Sequence, residues 1–349
     1  MLDDMPQSQS DATFSAVEVL RDGPRVLAAS SRLVAKGVGL GSDLFVLAQA
    51  EGRVLCERDP LHIRRYIGGV EHNGAPDGWG GRFVFCFQDV VDEAELETLE
   101  AGRLFVRRVE KANQIGEYWK YRRSGDGMFA LLRKSKFCII RAQTSSTWTF
   151  SFWPKDDIFD QTIIVFGTNC EGFWCILNSS VHEAWAGKYG RLMKTDTADA
   201  PSDSFNNLPL PFDPANSTSS ALAVLAARYS SLRQKVEMTA GGKTPTYTQF
   251  HDVQAGDSDI ATLRALHVEM DHAVAATYGW TDIDFGHGFH QTKPGMRYTI
   301  SEVARRKVLD LLLKLNHERY AQEQAIAAAQ QPTRKPKSRK GVPGQSALF

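Results

Sequence analysis

The stretch Thr147-Trp148-Thr149-Phe150-Ser151-Phe152-Trp153 alternates aromatic residues at 148, 150 and 152 with small polar ones at 147, 149 and 151. A period of two sends successive side chains to opposite sides of an extended chain. The segment therefore predicts a half-buried strand with one aromatic and one polar face. Around it lie other short runs rich in β-branched and aromatic residues: Leu44–Ala48, Arg82–Phe87, Phe137–Arg141, Thr162–Phe166 and Phe173–Leu177. These too predict strands. Asp92–Glu100, in VDEAELETLEAG, predicts an acidic surface helix ended by Gly102.

Further along, PSDSFNNLPLPFDPANS holds Pro201, Pro209, Pro211 and Pro214. Proline has no amide hydrogen and a fixed φ, so neither a regular helix nor a central strand fits, and a boundary is expected there. Helical periodicity follows. Leu222, Leu225, Tyr229, Leu232 and Val236 recur at spacings of three and four. They predict the apolar seam of a long helix stopped by Gly241-Gly242. That seam could pack on a helix of this chain or on a partner. A second helix is expected from Ser258 to Tyr278, with Leu263, His267, Met270 and Val274 on one stripe and Gly279 as its stop. A third begins at Thr299-Ile300-Ser301-Glu302, the spacing of a capping box, and runs to Pro332 with Ala304, Val308, Leu311, Leu312 and Leu315 inward. The expected class is α+β: a β-rich mixed domain followed by an α-helical segment. The expected division is a linker over 1–30, the β-rich domain over 31–215, helices over 216–327 and a disordered basic tail over 328–349.

Bulk composition narrows the partners. The 349 residues carry 41 basic and 41 acidic side chains, so any nucleic-acid contact must come from a local patch. The five cysteines, Cys56, Cys86, Cys138, Cys170 and Cys175, are odd in number and scattered, which argues against a disulfide framework. Cys86, Cys138 and Cys175 sit in apolar runs and read as buried small hydrophobes. The opening MLDDMPQSQSD lacks a signal-peptide pattern, and no apolar run reaches membrane-spanning length. The expectation is a cytoplasmic protein with no membrane partner.

Several catalytic patterns are missing. An adenine-N6 methyltransferase needs an Asn/Asp/Ser-Pro-Pro-aromatic turn to hold the flipped base. None of the fourteen prolines is followed by another. Gly37-Val38-Gly39-Leu40-Gly41 is the nearest thing to a cofactor loop, but it fails the G-x-G-x-x-G spacing and reads as a turn. No acidic Asp/Glu-x-Lys set for a magnesium nuclease falls on the predicted strands. His251, His267, His272, His287 and His290 cluster late, yet H-E-x-x-H is absent. The His267–Asp271 pair reads as a hydrogen bond that fixes helix packing. No catalytic and no metal-ligating residue is assigned.

Basic and aromatic residues interleave at Arg64-Arg65-Tyr66, at Glu117–Arg123 and from Arg133 to Arg141. Such patches suit phosphate contacts, with arginine also able to read guanine. The DNA-binding candidates are Arg64, Arg65, Lys120, Arg133, Lys134, Arg141, Lys188 and Lys194. Arg141 is expected to tune sequence preference and Lys134 to strengthen binding to any duplex.

Two longer segments carry a resemblance. One is Ser179–Gly190, SSVHEAWAGKYG, followed by Pro201–Phe205 and Leu208–Pro211. The other is Tyr247–Asp252, LHVEMDHAVAATYGW at 266–280, Arg297–Glu302, and LNHERY at 315–320. Together they resemble the C-terminal half of type IIG and MmeI-like restriction–modification methyltransferases and their phage-defence relatives, over roughly residues 35 to 325. The resemblance implies a target-recognition domain plus a helical segment that choose the sequence of double-stranded DNA. It also implies that S-adenosylmethionine and adenine-N6 methylation belong to a methyltransferase catalytic subunit or domain outside these residues. The rival expectation is a stand-alone or remnant adenine-N6 methyltransferase or type II restriction polypeptide.

Overall fold

The computed structural model describes residues 23–110, 118–193, 196–198, 204–215, 220–293 and 295–330. In chain order, α1 (Ala28–Ser31) leads to β1 (Val34–Lys36), then to a 3-10 turn and β2 (Val46–Leu47). There follow α2 (Gln49–Arg58), β3 (Ile63–Ile67), α3 (Gly69–Gly74), β4 (Phe83–Phe85), α4 (Glu93–Thr98), α5 (Glu100–Glu110) and α6 (Asp126–Arg133). The central strands are β5 (Phe137–Ala142), β6 (Thr144–Ser145), β7 (Ser151–Trp153), β8 (Ile158–Phe159) and β9 (Ile163–Thr168). Next come α7 (Phe173–Asn178), α8 (Ser180–Tyr189), β10 (Arg191–Met193) and β11 (Asp196–Ala198). The last part holds α9 (Ser220–Ala240), α10 (Lys243–Phe250), α11 (Ser258–Thr277), β12 (Gly288–Thr292), β13 (Gly295–Thr299) and α12 (Glu302–Gln330). The class is α+β.

The central antiparallel sheet has the order β1-β9-β5-β7, and a mixed sheet has the order β2-β4-β3-β8. β6 joins β11 and β10 in a small third sheet, while β12 and β13 pair with each other and, among the described residues, with no other strand. The central sheet is buried on both faces. On β5, Ile139 packs with the helices, whereas Cys138, Ile140 and Ala142 face the mixed sheet. On β9, Ile164 and Phe166 take the helical side, Ile163 and Val165 the other. The helical-side core runs without a break from Leu33 and Phe150 through Trp174 and Trp185 to Tyr229, Met270 and Leu312. It therefore crosses residue 215.

Several expectations change. Phe173–Leu177 is helix, not strand, and every residue of α7 is buried. A short, wholly apolar run has no polar face to report its period, so strand and buried helix look alike. Of Thr147–Trp153 only Ser151–Trp153 is strand, and Thr147 and Thr149 are buried rather than solvent-facing. Likewise, only Val46–Leu47 of Leu44–Ala48 is strand. Gly102 lies inside α5 rather than ending a helix; a Cβ there would meet the Leu96 carbonyl oxygen at 1.8 Å.

The long-helix expectations hold. α9 ends at Gly241 (φ +90) and Gly242 (φ +128), and α11 ends before Gly279 (φ +77). The seam residues Leu222, Leu225, Tyr229 and Val236 are covered by this chain's own core. The cap of α12 is Ser301, whose Oγ accepts from Ala304 N at 3.2 Å; Thr299 instead closes β13. Pro332, the basic tail and the segment before Gly23 lie outside the described residues. Cys86, Cys138, Cys170 and Cys175 are buried and all five thiols are free. No helix among the described residues is long and apolar enough to cross a membrane.

Candidate nucleic-acid interface

Of the cations singled out from sequence, Arg64, Arg133 and Lys134 lie near the start of β5 and Arg141 near its end. At its start, Lys155 Nζ donates to Ser135 O (2.9 Å) and Arg64 Nη1 to Asp156 O (3.5 Å). The 154–157 loop thus brings Arg64 beside the turn that carries exposed Arg133 and Lys134. Carboxylates interleave here. Arg65 holds Asp157 through Nε (3.1 Å) and Nη2 (2.6 Å), and His62 holds Asp59 (2.9 Å). The Arg65 guanidinium also lies over Trp79. Lys120 Nζ donates to the Val90 carbonyl. Arg65, whose charge is matched by the Asp157 carboxylate, has less to offer a phosphate than the exposed Arg133 and Lys134.

Arg141 requires a correction. It is fully buried, so it cannot touch DNA in this conformation. Alternation along β5 puts it on the same face as Ile139, beneath the turn that follows the strand. Its Nη1 donates to Ala142 O (3.2 Å) and its Nη2 to Thr147 O (3.3 Å), while the guanidinium lies 4.5 Å from the Trp148 ring. Its basic neighbours in sequence suggested a surface cation, but the period of two that buries Ile139 buries it as well.

The other end of β5 is built differently. The loop at 143–149, QTSSTWT, carries no charge. Asn73 at the end of α3 pins it: Nδ2 donates to Thr144 O (3.1 Å), and Ser145 Oγ donates back to Asn73 Oδ1 (3.3 Å). Ser145, Thr147 and Thr149 hydroxyls follow one another at 3.1 and 3.2 Å. With Arg141 below, the loop is held from both sides and exposes Thr144 and Ser146. On one flank β6 pairs with β11, which pairs with β10, and exposed Lys188 lies three residues before β10. Lys194 lies outside the described residues. On the other flank stands the β12–β13 ribbon, whose Arg297 Nη1 reaches Ser146 O at 3.5 Å.

The ribbon is fixed at its base. The Arg264 guanidinium on α11 lies 4.9 Å from Phe289 and 5.5 Å from Tyr298, and Tyr298 meets Phe250 edge to face. Burial, and then the nearby Arg297, His267 and Arg264, hold the His251 ring down at about 3. Asp271 anchors the approach to the ribbon. It accepts from Ser180 N (2.8 Å) and lies 2.8 Å from His287 Nε2. Burial alone would raise its carboxyl, but His267, His287 and Ser180 together hold it below the ordinary value. The hydrogen bond expected between His267 and Asp271 is not formed, since the two stand 3.7 Å apart; His267 instead bonds Ser180 Oγ (3.0 Å) and Tyr229 OH (3.1 Å), and joins helices through those partners. Among the described residues, no group of three or more His, Cys, Asp and Glu is placed to hold a metal ion.

The glycine-rich stretch 37–41 does not fit a cofactor loop. A Cβ on Gly37 would sit 2.2 Å from the carbonyl oxygens of both Phe159 and Asp160. Val38 N donates to Phe159 O (2.7 Å), and Gly39 exchanges hydrogen bonds with Arg123. Gly37 thus permits close backbone packing against Phe159 and Asp160.

The polar loop, the small sheet and the ribbon had weak sequence signals. The ribbon's strands are short and polar, and β10 and β11 have three residues each. The sequence signal that could point to the ribbon is the Lys293-Pro294-Gly295 triplet, a composition that favours a turn.

No protein-family model and no curated protein matches the chain. A solved structure of similar fold is that of MmeI, a type IIL restriction–modification enzyme determined in complex with DNA, with a TM-score of 0.56 at 14% identity. The match covers 85% of this chain and 37% of that one, so the chain spans little more than a third of its neighbour's length.

Proposed function

We propose that this chain is a sequence-specific recognition module for double-stranded DNA, serving a restriction–modification or phage-defence adenine-N6 methyltransferase. Residues 31–215 form its target-recognition domain and 216–327 its helical support. A catalytic subunit or domain outside these residues binds S-adenosylmethionine and transfers the methyl group. The observation that carries the reading is the fold shared with a DNA-bound restriction–modification enzyme along most of this chain. The loop end of β5 supports it: a pinned, uncharged hydroxyl-rich loop flanked by two small antiparallel elements, with exposed Lys188 three residues before β10. Loops held by a rigid scaffold suit base-edge contacts, because orienting the contacting groups needs no further ordering.

The test is selection of duplexes from a random pool by the purified protein near physiological salt, with and without S-adenosylmethionine. Enrichment of one short motif, independent of the cofactor, is the expected result. Uniform recovery of all sequences would overturn the reading.

A further inference from the structure

We propose that the β12–β13 ribbon enters the major groove of duplex DNA, where Gln291 and Met296 meet base edges and Lys293 and Arg297 hold the flanking phosphates. This rests on the recognition role proposed above and names the element that performs it.

Among the described residues the ribbon belongs to no larger sheet. Its register pairs Phe289 with Tyr298, His290 with Arg297 and Gln291 with Met296. Side chains alternate along each strand, so Gln291 and Met296 share a face with Phe289 and Tyr298. The two aromatics are used up at the base, against Arg264 and Phe250. Gln291 and Met296 lie further out on that face, and both are exposed, Met296 by 48%. An exposed methionine next to an unburied amide does nothing for the core of this chain.

Charge selects the occupant. From Gly286 to Ile300 the chain carries Lys293 and Arg297 and no aspartate or glutamate, and the adjoining 143–149 loop has none either. In a chain with equal numbers of acids and bases, a ribbon and loop that bring two cations and no carboxylate of their own suit a polyanion. Shape selects the groove. Two strands about 4.8 Å apart and about 17 Å long match a major groove about 12 Å wide and 8.5 Å deep. A glutamine can pair with the N6 and N7 atoms of adenine, and an apolar side chain can pack on the thymine methyl.

The test uses the full chain and the motif it selects. Gln291→Ala and Met296→Ala should each relax preference at one position of the motif, with about a tenfold loss on the preferred base. Lys293→Ala and Arg297→Ala should weaken all duplexes alike and shallow the salt dependence by about one counterion each. All four side chains lie outside the core, and thermal unfolding of each variant checks that the fold persists. If the wild type selects a motif and the Gln291 and Met296 variants select the same one with equal affinity, the ribbon is not the reader while the recognition role stands. If the wild type selects none, both fall together.

Discussion

Arg141 has its charge inside the molecule, where an unpaired guanidinium would be strongly disfavoured. It is tolerated because two carbonyls and the face of Trp148 surround it. Truncation would leave Ala142 O and Thr147 O short of donors and open a void under the 143–149 loop. Arg141→Ala is expected to destabilise the fold by about 2–4 kcal/mol, read by urea unfolding; a change within about 0.5 kcal/mol would mean the side chain faces solvent. Arg141→Lys should rescue little, since a point charge cannot bridge both carbonyls. The exposed cations separate the two ends of β5. Lys188→Ala is expected to weaken binding to every duplex severalfold, and Lys134→Ala to leave it unchanged. The reverse order, in a salt-matched titration, would move the DNA to the acid-interleaved end. Sequence alone could name both lysines but could not say that Arg141 is buried between them: clustering along the chain is blind to which face of a strand a residue takes.

At the scale of elements, legibility followed the length of the period. α9, α11 and α12 run for twenty residues or more and were evident from their apolar stripes and glycine stops. The short elements were misjudged where tertiary contacts replace periodicity. α7 is apolar all round because both the sheet and the helices cover it. The corner between α4 and α5 is the clearest case. Asp92 caps α4 through Glu95 N (2.8 Å), and the chain then turns at Leu99 and continues as a helix through Gly102. Glycine is poor in a helix interior, but here α5 crosses so near α4 that no Cβ fits against Leu96 O. Gly102→Ala would normally favour helix by about 1 kcal/mol. At this position the clash is with backbone, which cannot rotate away, so destabilisation of about 3 kcal/mol is expected. Equilibrium unfolding of that variant decides between the two effects: a gain in stability would show that the helices do not meet here.

The whole molecule behaves as a set of faces sharing one sheet, and its titration should show this. Arg233 on α9 donates to Asn178 Oδ1 (3.0 Å) and Phe150 O (2.6 Å), tying the helical part to α7 and to the chain entering β7. Beside it, Glu237 is paired with Lys243, and Lys243 lies close enough to His72 to act on it. Burial, then Lys243 and Arg233, hold the His72 ring well below the ordinary histidine value. On the ribbon side His251 is held near 3. Both rings stay neutral in the folded chain, whereas in the unfolded chain each takes a proton as pH falls below about 6.5. The unfolded state then binds more protons than the folded one, so stability falls with falling pH at up to about 1.4 kcal/mol per unit for each ring. Asp271 acts lower down: its contribution is complete above about 3.9 and is lost only as pH falls through its depressed folded value. From pH 6 to pH 5 the two histidines should therefore remove about 2.5 kcal/mol between them. His72→Gln and His251→Gln should each take away about half of that slope, and together nearly all of it. Denaturant unfolding at pH 6.0, 5.5 and 5.0 measures it. A wild-type curve that is flat over this range would mean that both rings are protonated in the folded chain, which the packing around β7 and at the base of the ribbon does not permit.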